Sequence, residues 1–155
     1  MDAKTNVMRL LDSQKISYRT YHYETKDAIS GVDVADRLGL ERRRVFKTLV
    51  TVGKSRQHYV FMIPVAEELH LKKAALACGE RSVEMIRAKE LLPLTGYVHG
   101  GCSPIGMKKP FPTFVDASVE GLETFVFSAG KIGSQVELTL EDLRRLVQVQ
   151  TAALL

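Results

Sequence analysis

Apolar positions first recur at helical spacing. Val7, Met8, Leu10 and Leu11 fall on one side of a helix predicted over residues 5–15, behind Thr5, whose hydroxyl suits an N-cap. Residues 16–23 then read as a strand. A short helix is expected over 30–38, with Ser30 as its cap, Asp33 in the first turn and Gly39 as its stop. From 45 to 52 the run VFKTLVTV is β-branched and apolar. The same character returns over 58–65 after the polar turn Gly53-Lys54-Ser55-Arg56, so the two runs form a hairpin of core strands.

Downstream the pattern alternates. A helix over 71–78 stops at Gly79, a short strand covers 83–85, and a further helix ends near Pro93. Residues 96–99 read as a strand entering the glycine-rich loop 100–106. Strands follow at 113–116, 124–128 and 135–138. Thr139, with Asp142 three residues on, then caps a carboxy-terminal amphipathic helix. Helices and strands intermingle without a strict βαβ rhythm, so a mixed sheet or partly closed barrel flanked by helices is expected. No repeat or linker divides the chain, and residues 1–155 are expected to form a single domain.

Composition changes this picture little. Apolar residues make up 45% and charged residues 26% of 155, near the averages for globular proteins, and no run approaches the roughly 20 apolar residues that span a bilayer. Cys78 and Cys102 form neither a CxxC pair nor a disulfide framework, and the first residues lack the layout of a signal peptide. A cytoplasmic protein is expected. The net charge of +4 favours polyanions without specifying one.

Three features are candidates for chemistry. Lys47 shares a strand face with Val45 and Leu49, which puts a cation inside a core-type strand. Either it snorkels from an edge to water, or it serves a cleft that binds an anion. Gly100 to Gly106 encloses Cys102 and Ser103, and is either a tight turn or a loop whose amides approach a ligand closely. Ser128 to Gly133 is a second glycine-punctuated strand end, carrying a hydroxyl and Lys131, and a plain β-turn explains it equally well. The four histidines and two cysteines show no zinc-site spacing, so neither metal nor cofactor is expected. His99 and Cys102 are three apart, which in an extended chain points them to opposite faces and disfavours a catalytic pair.

The runs VFKTLV around Lys47, LKKAA around Lys72 and Lys73, VEM at 83–85, TGYVHGGCSPIGMKK at 95–109 and SAGKIG from Ser128 occur in an order that resembles the YbaK family of aminoacyl-tRNA deacylases. The resemblance spans nearly the whole chain. It implies an α+β fold in which a mixed six-stranded, barrel-like sheet is surrounded by helices, as in the domains associated with prolyl-tRNA synthetase. It also implies an editing hydrolase that removes a wrong amino acid from tRNA, with the Cys-tRNA(Pro) deacylases as the nearest match and Ala-tRNA(Pro) deacylases among the relatives. Carried over by position, Lys47 is the active-site lysine, with Gly100 and Gly101 in the catalytic loop. Tyr23, Ser103, Ser128, Lys131 and Gly133 are the binding positions. Ile132 stands where the family usually has arginine. The implied partners are the aminoacylated acceptor end of tRNA and prolyl-tRNA synthetase, with no membrane involved. The implied chemistry is loop amides binding a developing oxyanion beside Lys47, with the substrate's own thiol or a water attacking the ester. A non-catalytic module that only holds the aminoacyl end is the rival reading.

Overall fold

A computed structural model describes residues 4–155. The first three residues, part of the stretch read for a leader, lie outside it. Helix α1 (Asn6–Ser13) opens the chain, and the Thr5 side chain accepts from the Met8 amide as its cap. Strand β1 is shorter than expected, Arg19–His22, because Ile16 turns inward to the core below α1. Helix α2 (Gly31–Leu38) starts on Ser30, which accepts from the Asp33 amide, and stops at Gly39 in the left-handed conformation. A single 3-10 turn over Arg42–Arg44 leads into the hairpin of β2 (Phe46–Gly53) and β3 (His58–Pro64).

Helix α3 (Leu71–Cys78) ends on left-handed Gly79, and β4 (Val83–Met85) pairs with the far end of β2. Helix α4 (Ala88–Thr95) ends two residues past Pro93, close to where the sequence placed its end. The strand expected over 96–99 is not formed, since Gly96 caps α4 in the left-handed conformation and turns the chain into the loop. Strand β5 (Thr113–Asp116) follows, and β6 (Phe125–Lys131) and β7 (Ser134–Leu138) form a hairpin. The expected carboxy-terminal helix shrinks to α5 (Leu140–Arg144). The chain after it returns as an unforeseen strand, β8 (Val149–Ala152), laid parallel to β5.

The strands make two sheets, one ordered β1-β7-β6 and the other β4-β2-β3-β5-β8. The expectation of one six-stranded, barrel-like sheet is therefore corrected: among the described residues eight strands divide into two open sheets that meet at one parallel bridge, Val45 to Val126. Side chains of β3 alternate between two cores, as the two-residue period requires. Tyr59, Phe61 and Ile63 face α3, Val83, Phe114 and Leu154. Val60 and Met62 face the other way, toward Cys102 and toward α1 with the smaller sheet. The larger sheet is thus a middle layer. Each fully buried Phe or Ile of this kind contributes about 1.5–3 kcal/mol to folding.

Candidate active site

Strand β2 leaves its edge uncovered between two partners. Toward its carboxy end it pairs with β4 over Thr51–Gly53, and at its start Val45 bridges to β6. Between them lies a cavity of about 390 Å³, floored by residues 45–49. Ile29, Ser30 and Gly31 at the start of α2 close one side, Leu91 of α4 and the His99–Gly100 turn another, and Ser128 and Gln135 a third. A larger cavity of about 510 Å³ lies between the 104–113 loop and residues 146–148, with Lys109 as its one ionisable lining residue. Polar groups converge on the smaller one.

Lys47 lines this smaller cavity, and its ammonium makes no ion pair or hydrogen bond with the described residues. No Asp or Glu lines the cavity among those residues. The amino end of α2 adds the positive end of a helix dipole. The result is a donor-rich pocket suited to anionic or carbonyl oxygens.

The 96–106 loop reaches this pocket through its glycines. Gly100 has φ +87°, and a Cβ there would sit 2.6 Å from the Ala28 Cβ, so only glycine fits. Its amide makes no hydrogen bond within the described residues and lies at the cavity wall. Gly101 behaves differently. Its amide donates to the Val98 carbonyl (2.9 Å), and its bare Cα lets the loop press on the Lys131–Ile132 backbone. The Ser103 hydroxyl is also committed, accepting from the Ile105 amide (3.3 Å) at a residue with no exposure, away from the cavity lining. Tyr97, which the sequence did not single out, fastens this loop: its hydroxyl donates to the Ile105 carbonyl and its ring lies against Gly130.

Cys102 and His99 both line the cavity. The thiol is nevertheless a poor nucleophile, because burial pushes its pKa up to about 12. Ser128 faces the cavity while its oxygen accepts from the Gly130 amide (3.1 Å). Across the β6–β7 pair it meets Gln135, whose residue is 5% exposed and whose side-chain amide has no partner among the described residues. Gln135 was missed because nothing local distinguishes it from any inward strand residue. Tyr23 and Gly133 meet at the hairpin end, where the Tyr23 amide donates to the Gly133 carbonyl (3.0 Å), and neither lines the cavity. Lys131 is exposed at the end of β6, outside the cavity lining. Lys47, Gly100 and Ser128 are thus brought together around the cavity, while Gly101, Ser103, Tyr23, Lys131 and Gly133 do not line it.

A mixed α+β domain holding an unpaired lysine and a loop amide around an acid-free cleft has the groups that suit a small acyl or phosphoryl ligand. Comparison makes the class specific. The model of the aminoacyl-tRNA editing domain matches residues 25–146, and the chain belongs to that family. An Enterococcus faecalis protein provisionally named Cys-tRNA(Pro)/Cys-tRNA(Cys) deacylase EbsC is 45% identical over 150 residues, covering 96% of this chain and 92% of the relative. A proline-tRNA ligase of Citrifermentans bemidjiense is 31% identical over 108 residues, and there the match spans only 19% of the ligase. Among solved structures, one provisionally described as a trans-editing enzyme for prolyl tRNA synthetase superposes with a TM-score of 0.83 at 23% identity, covering 99% of this chain and 98% of that one. At that identity the likeness shows the fold.

Proposed function

We propose that the protein deacylates mischarged aminoacyl-tRNA, with Cys-tRNA(Pro) as its preferred substrate, acting on tRNA that prolyl-tRNA synthetase has charged and released. The observation that carries this reading is the unpaired Lys47 beside the free Gly100 amide in an acid-free cavity, in a chain close in sequence and length to EbsC. The terminal ribose and its phosphate lie against Lys47 and the amino end of α2. The ester carbonyl faces Gly100, whose amide stabilises the oxyanion. Cys102 takes no covalent part, because its buried thiol stays protonated.

The attacking group is the substrate's own thiol. Its sulfur adds to the ester carbonyl carbon, the bond to the ribose oxygen breaks, and the thiol proton ends on that oxygen. The cyclic thioester that leaves is opened by water to free cysteine. A pocket of this kind separates side chains differing by one small group by only roughly 1–3 kcal/mol, so shape alone does not spare Ser-tRNA. Chemistry adds the rest, since a hydroxyl is a far weaker nucleophile than a partly ionised thiol near neutral pH. The test is amino-acid release from proline tRNA charged with Cys, Ser, Ala or S-methylcysteine. Rapid release of Cys alone supports the reading. Equal rates for Cys and S-methylcysteine leave water as the attacker, and protection of every ester makes the protein a binding module.

A further inference from the structure

Gln135 lines the cavity from β7 as a side chain only 5% exposed, and its amide bonds to nothing among the described residues. The strand dictates where it points. Val136 and Leu138 enter the core beneath α1, so Gln135 and Glu137 face the opposite way, where Glu137 meets Arg44 at the approach to β2. In its row across the smaller sheet Gln135 is flanked by Tyr21 of β1 and Ser128 of β6. Both neighbours are engaged elsewhere: the Tyr21 hydroxyl donates to Glu137, and the Ser128 oxygen accepts from the Gly130 amide (3.1 Å). The amide is not sealed in, either. Among the described residues the Thr48 hydroxyl is the buried, unpartnered side-chain polar atom that is shut off from solvent, so the unpaired oxygen and nitrogen of Gln135 both open on the cavity.

A ligand that fills the cavity displaces water from this amide, and binds less well unless it replaces the water's hydrogen bonds. The rest of the wall is poor in acceptors. Lys47 and the Gly100 amide donate, and no carboxylate lines the cavity among the described residues. Of the lining side chains, the Ser30 oxygen is taken by the Asp33 amide, the Ser128 oxygen by Gly130, and the Thr48 oxygen is closed off. His99 is exposed, at the mouth. The Gln135 oxygen is therefore the side-chain acceptor open to a ligand deep in the pocket. With the ester carbonyl at Gly100 and the ribose at Lys47, the α-carbon turns its substituents toward the third wall, which Gln135 and Ser128 form. The donor among those substituents that most needs an acceptor is the α-amine. We infer that Gln135 binds the α-amino group of the aminoacyl ester, its Oε1 accepting an N–H bond, and so tells an aminoacyl ester from an acyl ester without an amine. A neutral amide supplies this acceptor without a negative charge that would compete for Lys47. The inference rests on the deacylase reading and deepens it.

The test compares Gln135→Met, which keeps the length of the side chain and removes its amide, with the unaltered protein on two substrates. One is Cys-tRNA(Pro); the other is proline tRNA carrying 3-mercaptopropionate, which keeps thiol and ester but lacks the amine. Taking the ratio of the two enzymes on each substrate cancels the esters' different intrinsic reactivity. Gln135→Met is expected to lower kcat/KM about tenfold on Cys-tRNA, the loss of one hydrogen bond, and less than about twofold on the amine-free ester. A general loosening of the cavity would slow both alike. A loss on the amine-free ester equal to or greater than that on Cys-tRNA, or no loss on either, would overturn the inference. If methionine fails to fold, Gln135→Leu is judged by the same ratio. If the amine-free ester escapes cleavage, its filter-binding Kd is read in its place, and weakening of that Kd by about tenfold would overturn the inference too. Failure of the unaltered protein to release cysteine at all is a different result, and counts against the deacylase reading itself.

Discussion

Replacing Gly100 with alanine separates backbone strain from loss of the site. At φ +87° an added Cβ costs about 1–2 kcal/mol from the left-handed backbone alone. It would also overlap the Ala28 Cβ at 2.6 Å, which forces one of the two segments to move. Ala28 is exposed and can yield, so the stability loss should stay near about 2–3 kcal/mol, or roughly 4–12 °C in Tm for a chain of this size. Activity is another matter. A displacement of about 1 Å at a positioned group can cost on the order of 100-fold, and the Gly100 amide is the donor placed on the ester. Gly39→Ala is the control: its φ is +68°, nothing lies within 4 Å of an added Cβ, and it is outside the cavity lining. Both variants should lose stability, and only Gly100→Ala should lose turnover, measured by single-turnover release of cysteine alongside thermal melts. Near-normal turnover by a folded Gly100→Ala would refute the placement of the oxyanion at this loop.

Cys102→Ala should retain most activity in the same release assay, because its thiol is buried and protonated; loss in both Ala and Ser variants with the fold intact would contradict this. Glu137, buried at the β6–β7 hairpin, accepts from Arg44 (2.6 Å), Thr124 and Tyr21. Burial pushes its pKa up, but those hydrogen bonds and the Arg44 charge outweigh burial and hold it below the ordinary value of 4.5. A depressed folded-state pKa gives stability that is present above 4.5 and lost as pH falls below it. Glu137→Gln should therefore cost about 3 kcal/mol near neutral pH, the low end for a broken buried pair because Arg44 keeps 27% of its side chain exposed, and the gap should narrow in acid melts. Affinity for aminoacylated tRNA should fall with salt at a log–log slope of about −0.7 for each single-strand phosphate neutralised. A flat profile in filter binding would assign recognition to the amino acid alone.

What was legible in the sequence was local chemistry. Thr5, Ser30 and Thr139 cap helices, and Gly39 and Gly79 end them, because each forms bonds within a few residues of itself. The β2–β3 hairpin followed from its β-branched runs and polar turn. Strand β8 was hidden because Val149–Ala152 is a strand only by lying against β5, far back in the chain. Residues 96–99 misled because their apolar content resembles a strand while left-handed Gly96 commits them to a turn. Within the site, Lys47 stood out as a cation in an apolar strand and Gly100 as a glycine in a glycine-rich loop. Gln135 did not stand out. Its place beside Ser128 lies in the register of β6 with β7, which no local pattern reveals. The loop's commitments, Gly101 to Val98 and Ser103 to Ile105, are likewise visible only in three dimensions.

The most direct test of the central claim is single-turnover deacylation of Cys-tRNA(Pro) by the protein and by its Lys47→Ala variant. Removing a donor to transition-state charge typically costs ~10²–10³ in rate, so the unaltered protein should release cysteine rapidly and a folded Lys47→Ala should be slower by about that factor. An intact ester after incubation with the unaltered protein, or equal release by the two, would contradict the account.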